Sequence, residues 1–284
     1  MEAPGRVSPI VVRLVCVLVT PVVRLCFRPR LEGTEHLPAE GPYILVANHS
    51  AGMGIAEIFS FLALYLGRFG DKRPLAGFAL PIGFRVFPLS AALRSIGAIP
   101  ATYESAQKSL EAGVPILMFP GGDHETLRPI WQANEVDFGG RLGFLRIARR
   151  AGVPIIPMGI AGSHWTAPVL LRSKLLATLL VQPRLIGVKR WGIPVLGLAG
   201  AIAIATIVPL AIPWRLALVW YWLGSPLVFL PWIPSTIRMR IGPALSTSEV
   251  FGDVTEDSED GLRRALQRVE AAVKSQLDQA RSDP

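Results

Sequence analysis

Pro42-Tyr43-Ile44-Leu45-Val46-Ala47-Asn48-His49-Ser50 is the stretch on which the reading of the fold turns. A short unbroken apolar run that ends in Asn-His-Ser reads as a buried strand delivering a histidine at its C-terminal end. Working outward, Ala56 to Leu66 predicts an apolar helix and Ala98-Ile99-Pro100 a short strand. Tyr103 to Ala112 predicts a helix stopped by Gly113, and Val114 to Phe119 a second buried strand. Arg141 to Ala151 predicts a helix closed by Gly152, followed by strands at Val153 to Met158 and Thr236 to Ile241. Strands alternating with helices predict an α/β fold, a mixed but largely parallel sheet covered by helices on both faces. Gly261 to Arg281 predicts an amphipathic helix with Leu262, Leu266, Val269, Val273 and Leu277 on one face.

Hydrophobic residues make up 51% of the 284 and charged residues 18%, a balance that excludes a disordered chain. It is also more apolar than an ordinary soluble enzyme, so a membrane is the first partner to consider. The net charge of +8 is unevenly laid out: Glu249 to Pro284 holds nine acidic and five basic residues, while Phe138 to Ser248 holds twelve Lys or Arg and no acid. Cations flanking Leu, Ile and Val suit the surface of an anionic bilayer, and no nucleic-acid partner is expected. Cys16 and Cys26 share one apolar stretch, which gives no disulfide framework and no zinc pair and fits a reducing compartment.

Pro9 to Phe27 is apolar, but Arg13 and Arg24 leave only ten uninterrupted residues between them. That is short of the ~20 needed to span a bilayer, and no small-residue cleavage site follows. An interfacial helix is expected, a core helix being the alternative. Trp191 to Trp214 runs for twenty-four residues without a charge and Leu216 to Ile237 for twenty-two, yet Pro194, Pro209, Pro213, Pro226, Pro231 and Pro234 interrupt both. A monotopic membrane-embedded region on the cytoplasmic face is expected over 191–237, with a spanning hairpin and a lipid-binding wall as alternatives. The division expected is an anchoring segment over 1–30, a catalytic domain over 31–248, and an acidic linker with the amphipathic helix over 249–284.

Two of the four histidines follow hydrophobic strands, His49 in Asn48-His49-Ser50-Ala51-Gly52 and His124 in Phe119-Pro120-Gly121-Gly122-Asp123-His124-Glu125. Open α/β sheets hold ligands at the C-terminal ends of parallel strands. An imidazole there can take a hydroxyl proton near neutral pH, and the bare N–H groups of Gly121-Gly122 suit an oxyanion. His36 and His164 are read as structural.

With these blocks the chain resembles the glycerolipid acyltransferase superfamily, which includes lysophosphatidate and glycerol-phosphate acyltransferases. The resemblance runs from Leu31 to Gly162, with a looser echo at Ile237 to Leu245. Asn48-His49 is similar to the family's first block, Gly97-Ala98-Ile99-Pro100 to the second, Phe119 to His124 to the third, and Val153-Pro154-Ile155-Ile156-Pro157 to the fourth. The family's orienting Asp, five residues past the His, falls on Gly54, and the Glu and Arg of its third block fall on Gly121 and His124. This variant is similar to the mono- and diacylglycerol acyltransferase-like branch.

The resemblance implies a glycerol-phosphate acyltransferase-like fold and direct acyl transfer from acyl-CoA, or from acyl carrier protein, to a lipid hydroxyl acceptor. No cofactor or metal is implied. His49 would be the general base and Glu57 its orienting carboxylate, eight residues on and able to share a helix face, with Glu125 the rival orienter. Gly121 and Gly122 would meet the oxyanion, while His124, Glu125 and Arg141 would line the substrate site. The alternatives are a lysophosphatidate-type acyltransferase with a phosphorylated acceptor, and a non-catalytic lipid-binding protein. A serine hydrolase is disfavoured because Ser50 lacks the nucleophile elbow.

Overall fold

The structure is a computed structural model and describes residues 4–50, 52–252 and 258–282. Ala51, inside the His-Ser-Ala-Gly block, and residues 253–257 of the acidic linker lie outside the described residues. Seven strands form the main sheet: β1 (Arg30–Glu32), β2 (Ile44–Ala47), β3 (Ala76–Ala79), β4 (Ala98–Pro100), β5 (Ile116–Met118), β6 (Ile155–Ala161) and a late strand, Arg238–Ile241. Two further strands, β7 (Val169–Ser173) and β8 (Trp191–Pro194), pair antiparallel as a separate ribbon, which makes the late strand β9. The order across the sheet is β1-β9-β6-β2-β5-β3-β4, and every pairing is parallel except β6 with β9. The sheet is therefore mixed and largely parallel, with helices on both faces.

The stretch quoted first lies at the centre of this sheet. Ile44 pairs with Ile116 on one side and Ile155 on the other. Successive side chains of a strand point to opposite faces. Ile44 and Val46 accordingly enter the core under helices Tyr103–Glu111, Gly143–Ala151 and Glu259–Ser282, while Leu45 and Ala47 enter the core under helices Thr20–Phe27 and Ile55–Phe69. With both faces covered, β2 has no polar position, which is why it reads as a continuous apolar run rather than an alternating one.

The C-terminal helix Glu259–Ser282 buries Leu262, Leu266, Val269, Val273 and Leu277, the face its periodicity predicts. Each such burial is worth about 1.5–3 kcal/mol. Leu262, Leu266, Val269 and Val273 share one core with Ile44 and Ile155. The helix also accepts the Phe138 N–H on Glu270 Oε1 at 2.7 Å, which anchors the chain between β5 and β6.

Pro9–Phe27 is helical throughout, but Val15–Val19 forms a π turn. Pro21 has no N–H for the α-helical ladder, so the registry loosens just before it, and Thr20 Oγ1 donates to Val15 O at 3.1 Å. By length and composition this helix could cross a membrane. One side packs Val15, Val23 and Phe27 into the core, and the other exposes Ile10, Val17, Leu18 and Leu25.

The uncharged region forms β8 and a hairpin of two helices, Val195–Ile207 and Ile212–Gly224, thirteen residues each. At 1.5 Å rise per residue each is about 20 Å long, short of a ~30 Å hydrocarbon core, so neither helix can span it. The prolines act as boundaries: Pro194 caps the first helix, Pro213 opens the second, and Pro226 opens the 3₁₀ turn Pro226–Phe229. Trp222 Nε1 donates to Gly197 O at 2.9 Å and binds the two helices together. The hairpin base packs Val228 and Phe229 against Leu127, Val169 and Trp191, while Ile207, Ile212, Trp214 and Leu216 near the tip are exposed.

Candidate active site

Because β2 lies between β5 and β6, the three chain segments leaving their C-terminal ends converge. They are Asn48-His49-Ser50, Pro120-Gly121-Gly122 and Gly162-Ser163-His164. Asn48 extends the pairing with β6 by side chain: Nδ2 donates to Ile160 O at 2.9 Å and Oδ1 accepts from Ile160 N at 2.7 Å. This amide bridge fixes the exit direction of His49.

The chain then reverses through three left-handed residues, Gly52 (φ 37°), Met53 (φ 75°) and Gly54 (φ 70°), before helix Ile55–Phe69 begins. His49 and Glu57 therefore do not share a helix face, as their spacing alone predicts; the carboxylate reaches back across the turn from the first turn of the helix. Gly54, where the family's aspartate falls, has no room for any side chain, since a Cβ there would overlap His49 Cε1. The turn that removes the aspartate is the one that brings Glu57 to the imidazole.

Glu57 is fully buried, and three donors converge on its carboxylate. His49 Nδ1 meets Oε1 in a short contact, Ser50 N donates to Oε1 at 2.9 Å, and Ser50 Oγ donates to Oε2 at 2.7 Å. A carboxylate only accepts, so this arrangement assigns the proton to Nδ1 and leaves Nε2 with its lone pair. Among the described residues Nε2 has no hydrogen-bond partner. The ring stacks on Phe119 at 4.3 Å between centroids, and 12% of the side chain is exposed. Phe119 also lines an apolar cavity of about 140 Å³ that runs past Ile58, Phe61, Leu62, Phe78 and Leu117.

Glu125 meets the histidine differently. Its Oε2 accepts the His49 backbone N–H at 3.0 Å, and its Oε1 accepts Asp137 N at 3.2 Å and Arg128 Nη2 at 3.4 Å. It touches the main chain of His49, not the ring. Burial pushes the Glu125 carboxyl up to about 8, against the pull of Arg128 and of the two N–H groups. Gly121 leaves the space this carboxyl fills, and Gly122 (φ 43°) leaves the space of the Arg141 guanidinium.

The loop after β5 uses most of its polar groups internally. Gly122 N–H donates to Phe119 O at 3.2 Å, so this donor, expected at an oxyanion, closes the loop's own turn. Arg141, expected to line the substrate site, donates to Pro120 O at 3.1 Å and Gly121 O at 2.8 Å and pairs with Asp123. Burial opposes charge on Asp123, yet Arg141 and the N–H groups of Arg190 and Lys189 hold its carboxyl below the usual range. His124 pairs through Nε2 with Asp137 Oδ2 at 2.7 Å, and its buried Nδ1 has no partner among the described residues. Burial holds His124 below its ordinary value, Asp137 acting in the opposite sense.

Sequence reasoning leaves Ser163 and His164 out of the site, and the structure brings both in. Ser163 Oγ meets Ser50 Oγ, and His164 is buried, its Nε2 unpartnered among the described residues. Burial pushes His164 down to about 3, with Arg128 and His49 adding to the effect. The signal was present: Gly162-Ser163-His164 ends an apolar strand in polar residues, as Asn48-His49-Ser50 does. Among the described residues no group of His, Cys, Asp and Glu could hold a metal ion.

Residues 28–161 match the family model described as Acyltransferase. An uncharacterized protein of Mycobacterium tuberculosis is 29% identical over 205 residues, which cover 70% of this chain and 54% of that protein. Phytyl ester synthase 2, chloroplastic, of Arabidopsis thaliana is 26% identical over 146 residues, 49% of this chain and 20% of that protein. The chain thus spans about half the length of its mycobacterial relatives. The crystal structure of the 1-acyl-sn-glycerophosphate (LPA) acyltransferase PlsC from Thermotoga maritima superposes with a TM-score of 0.53 at 19% identity, covering 96% of this chain and 81% of that one, a likeness of fold. Residues 28–161, a little under half of the chain, are thus similar to the acyltransferase family, and this match fits the glycerolipid acyltransferase superfamily that the sequence blocks resemble.

Proposed function

We propose that the chain is a membrane-associated O-acyltransferase that moves a fatty acyl group from acyl-CoA to a lipid hydroxyl, with His49 as general base. The observation that carries this reading is the His49–Glu57 pair: Nδ1 is held by a buried carboxylate, Nε2 is without a partner among the described residues, and the ring abuts an apolar cavity through Phe119. His49 Nε2 takes the proton of the acceptor hydroxyl as its oxygen attacks the thioester carbonyl carbon. The tetrahedral oxyanion collapses, the C–S bond breaks, and the protonated imidazole returns its proton to the departing thiolate. The products are an ester and free coenzyme A. The acyl chain occupies the apolar cavity, with the thioester at its Phe119 end, beside His49.

A neutral alcohol is the acceptor, as in the mono- and diacylglycerol acyltransferase-like branch. In support, the family's third-block arginine is replaced by His124, and Arg141 is committed to Asp123 and to loop carbonyls. The name of the plant relative, an ester synthase for a long-chain alcohol, points the same way. The enzyme works on the cytoplasmic face of a membrane as a monotopic protein. The exposed apolar tip of the hairpin, the outer side of Pro9–Phe27 and the acid-free basic stretch from Phe138 to Ser248 support that placement.

The test is thiol release from a long-chain acyl-CoA in nanodiscs, with monoacylglycerol, diacylglycerol, a long-chain alcohol and lysophosphatidate as separate acceptors. Release that needs a neutral alcohol and disappears in His49→Ala is the expected result. Release with lysophosphatidate alone would replace the acceptor. No release with any acceptor, or equal release from the variant, overturns the reading in favour of a lipid-binding protein.

A further inference from the structure

The hydrogen-bonded chain that holds His49 continues one residue past the catalytic turn. Ser50 Oγ lies 2.7 Å from Glu57 Oε2 and on its other side meets Ser163 Oγ. All three of these side chains, Ser50, Glu57 and Ser163, are fully buried. A carboxylate only accepts, so the Ser50 proton points at Glu57, its oxygen is left as an acceptor, and the Ser163 hydroxyl supplies the donor. Among the described residues Ser50 is the single partner of the Ser163 hydroxyl. The turn that carries Ser163 is itself fixed: Thr166 Oγ1 donates to Ser163 O at 2.7 Å and Ser235 Oγ to Gly162 O at 2.9 Å.

We infer that Ser163 is a positioning residue for His49, acting from the end of β6 through Ser50 and Glu57. The inference rests on His49 being the base proposed above. It explains why a serine follows the histidine in a chain with no nucleophile elbow: Ser50 is a relay between two strand ends. Ser163 leaves the reacting atoms untouched; its hydroxyl determines how firmly Ser50 donates to the carboxylate, and therefore how much of the Glu57 charge is left for the imidazolium that forms during transfer.

The direction of the effect follows. Without Ser163 the Ser50 hydroxyl donates more weakly, and Glu57 keeps more of its charge for the ring. The acidic limb of the kcat profile then moves up. The other ionisable groups facing His49 are Glu125 on its backbone N–H and His164, which interacts with it through charge, while Arg128 faces Glu125 and His164 in turn. Recording the profiles in a Glu125→Gln background removes the group that titrates nearest neutrality.

Ser163→Ala is expected to lower kcat about three- to tenfold, because the loosened Ser50–Glu57 tie holds the ring less well in line and this outweighs the gain in charge, to leave KM for both substrates within about twofold, and to raise the acidic limb by a few tenths of a pH unit. Ser50→Ala is expected to do the same in larger measure, and the double variant no more than Ser50→Ala alone, since Ser163 acts only through Ser50. Ser163→Cys keeps most of the volume while weakening the donor and moves the profile in the same direction, which keeps the test valid if the alanine variant folds poorly. A Ser163→Ala profile that overlays the wild type while His49→Ala is inactive overturns this inference alone. Losses in the two serine variants that multiply also overturn it. Turnover retained in His49→Ala instead removes the general-base reading on which it stands.

Discussion

The turn after β2 and the loop after β5 are both glycine-rich, reach the same corner of the sheet, and place a buried glutamate against His49. They use their polar atoms in opposite ways. In the turn after β2, three donors converge on Glu57 and one imidazole nitrogen is left over. In the loop after β5, Arg141, Asp123, His124 and Asp137 pair with one another or with loop backbone, and Glu125 braces the His49 main chain. Chemistry needs a group whose partners are incomplete; a scaffold needs groups whose partners are complete. On the proposed reading the turn after β2 is the reactive element and the loop after β5 its support, the unpartnered Nδ1 of His124 being the loop's exception among the described residues, although both look equally catalytic as sequence.

Variants that strike each element separately can break this contrast. The largest effect is expected from His49→Ala, which removes the lone-pair nitrogen and lowers kcat by about 10³-fold or more, with unfolding temperature little changed. Glu57→Gln keeps the shape but loses the anion and offers an amide that can stabilise the wrong tautomer, so kcat falls about 10²–10³-fold. Single-turnover thiol release reads both. If Glu57→Gln retained more than about a third of wild-type turnover, the carboxylate would be a structural tie and the contrast between the two elements would disappear.

How much of this was legible in sequence depended on whether a signal was local. The central strands were legible because burial on both faces forbids polar residues, and the helix Glu259–Ser282 because its apolar face repeats regularly. The edge strand β1, Arg-Leu-Glu, and the ribbon β7–β8 have no such pattern: their pairing is set by partners distant in sequence, Arg238–Ile241 for β1 and each other for the ribbon. His49 was legible as a polar residue ending an apolar strand. Its geometry with Glu57 was not, because the left-handed path through Gly52, Met53 and Gly54 has no periodicity to read. Arg141 as a loop clamp was invisible for a related reason, since its partners lie twenty and twenty-one residues away, at Gly121 and Pro120.

A smaller effect, on stability, is expected from Glu125→Gln. Burial raises this carboxyl to about 8 in the folded protein, from the ordinary value of 4.5. Between those values the folded state holds a proton that the unfolded chain has released, so stability falls as pH rises through that window. Glutamine has no proton to lose and keeps the shape. The unfolding temperature of the variant relative to wild type should therefore rise between pH 5 and pH 8, by about a few degrees. A difference that stays constant with pH would mean that Glu125 is ionised throughout, and the brace on His49 would then be a charged one.

The smallest effect on turnover is expected where the sequence pointed most directly to substrate. Arg141→Ala frees the carbonyls of Pro120 and Gly121 and leaves Asp123 with Arg190 at 3.9 Å and the N–H groups of Lys189 and Arg190 at 3.0 Å. The Arg141 side chain is 39% exposed, so solvent screening keeps the loss to about 1 kcal/mol. For a chain of this size that is about 2–4 °C in unfolding temperature. If the arginine only clamps the loop, KM for acyl-CoA changes by less than about threefold and responds to salt as wild type does. If it binds the phosphates of the donor, KM rises about tenfold or more and its salt dependence weakens, because a screened contact has been removed. Only the second result would give the loop after β5 a direct part in holding substrate and set it beside the turn after β2 as a functional element.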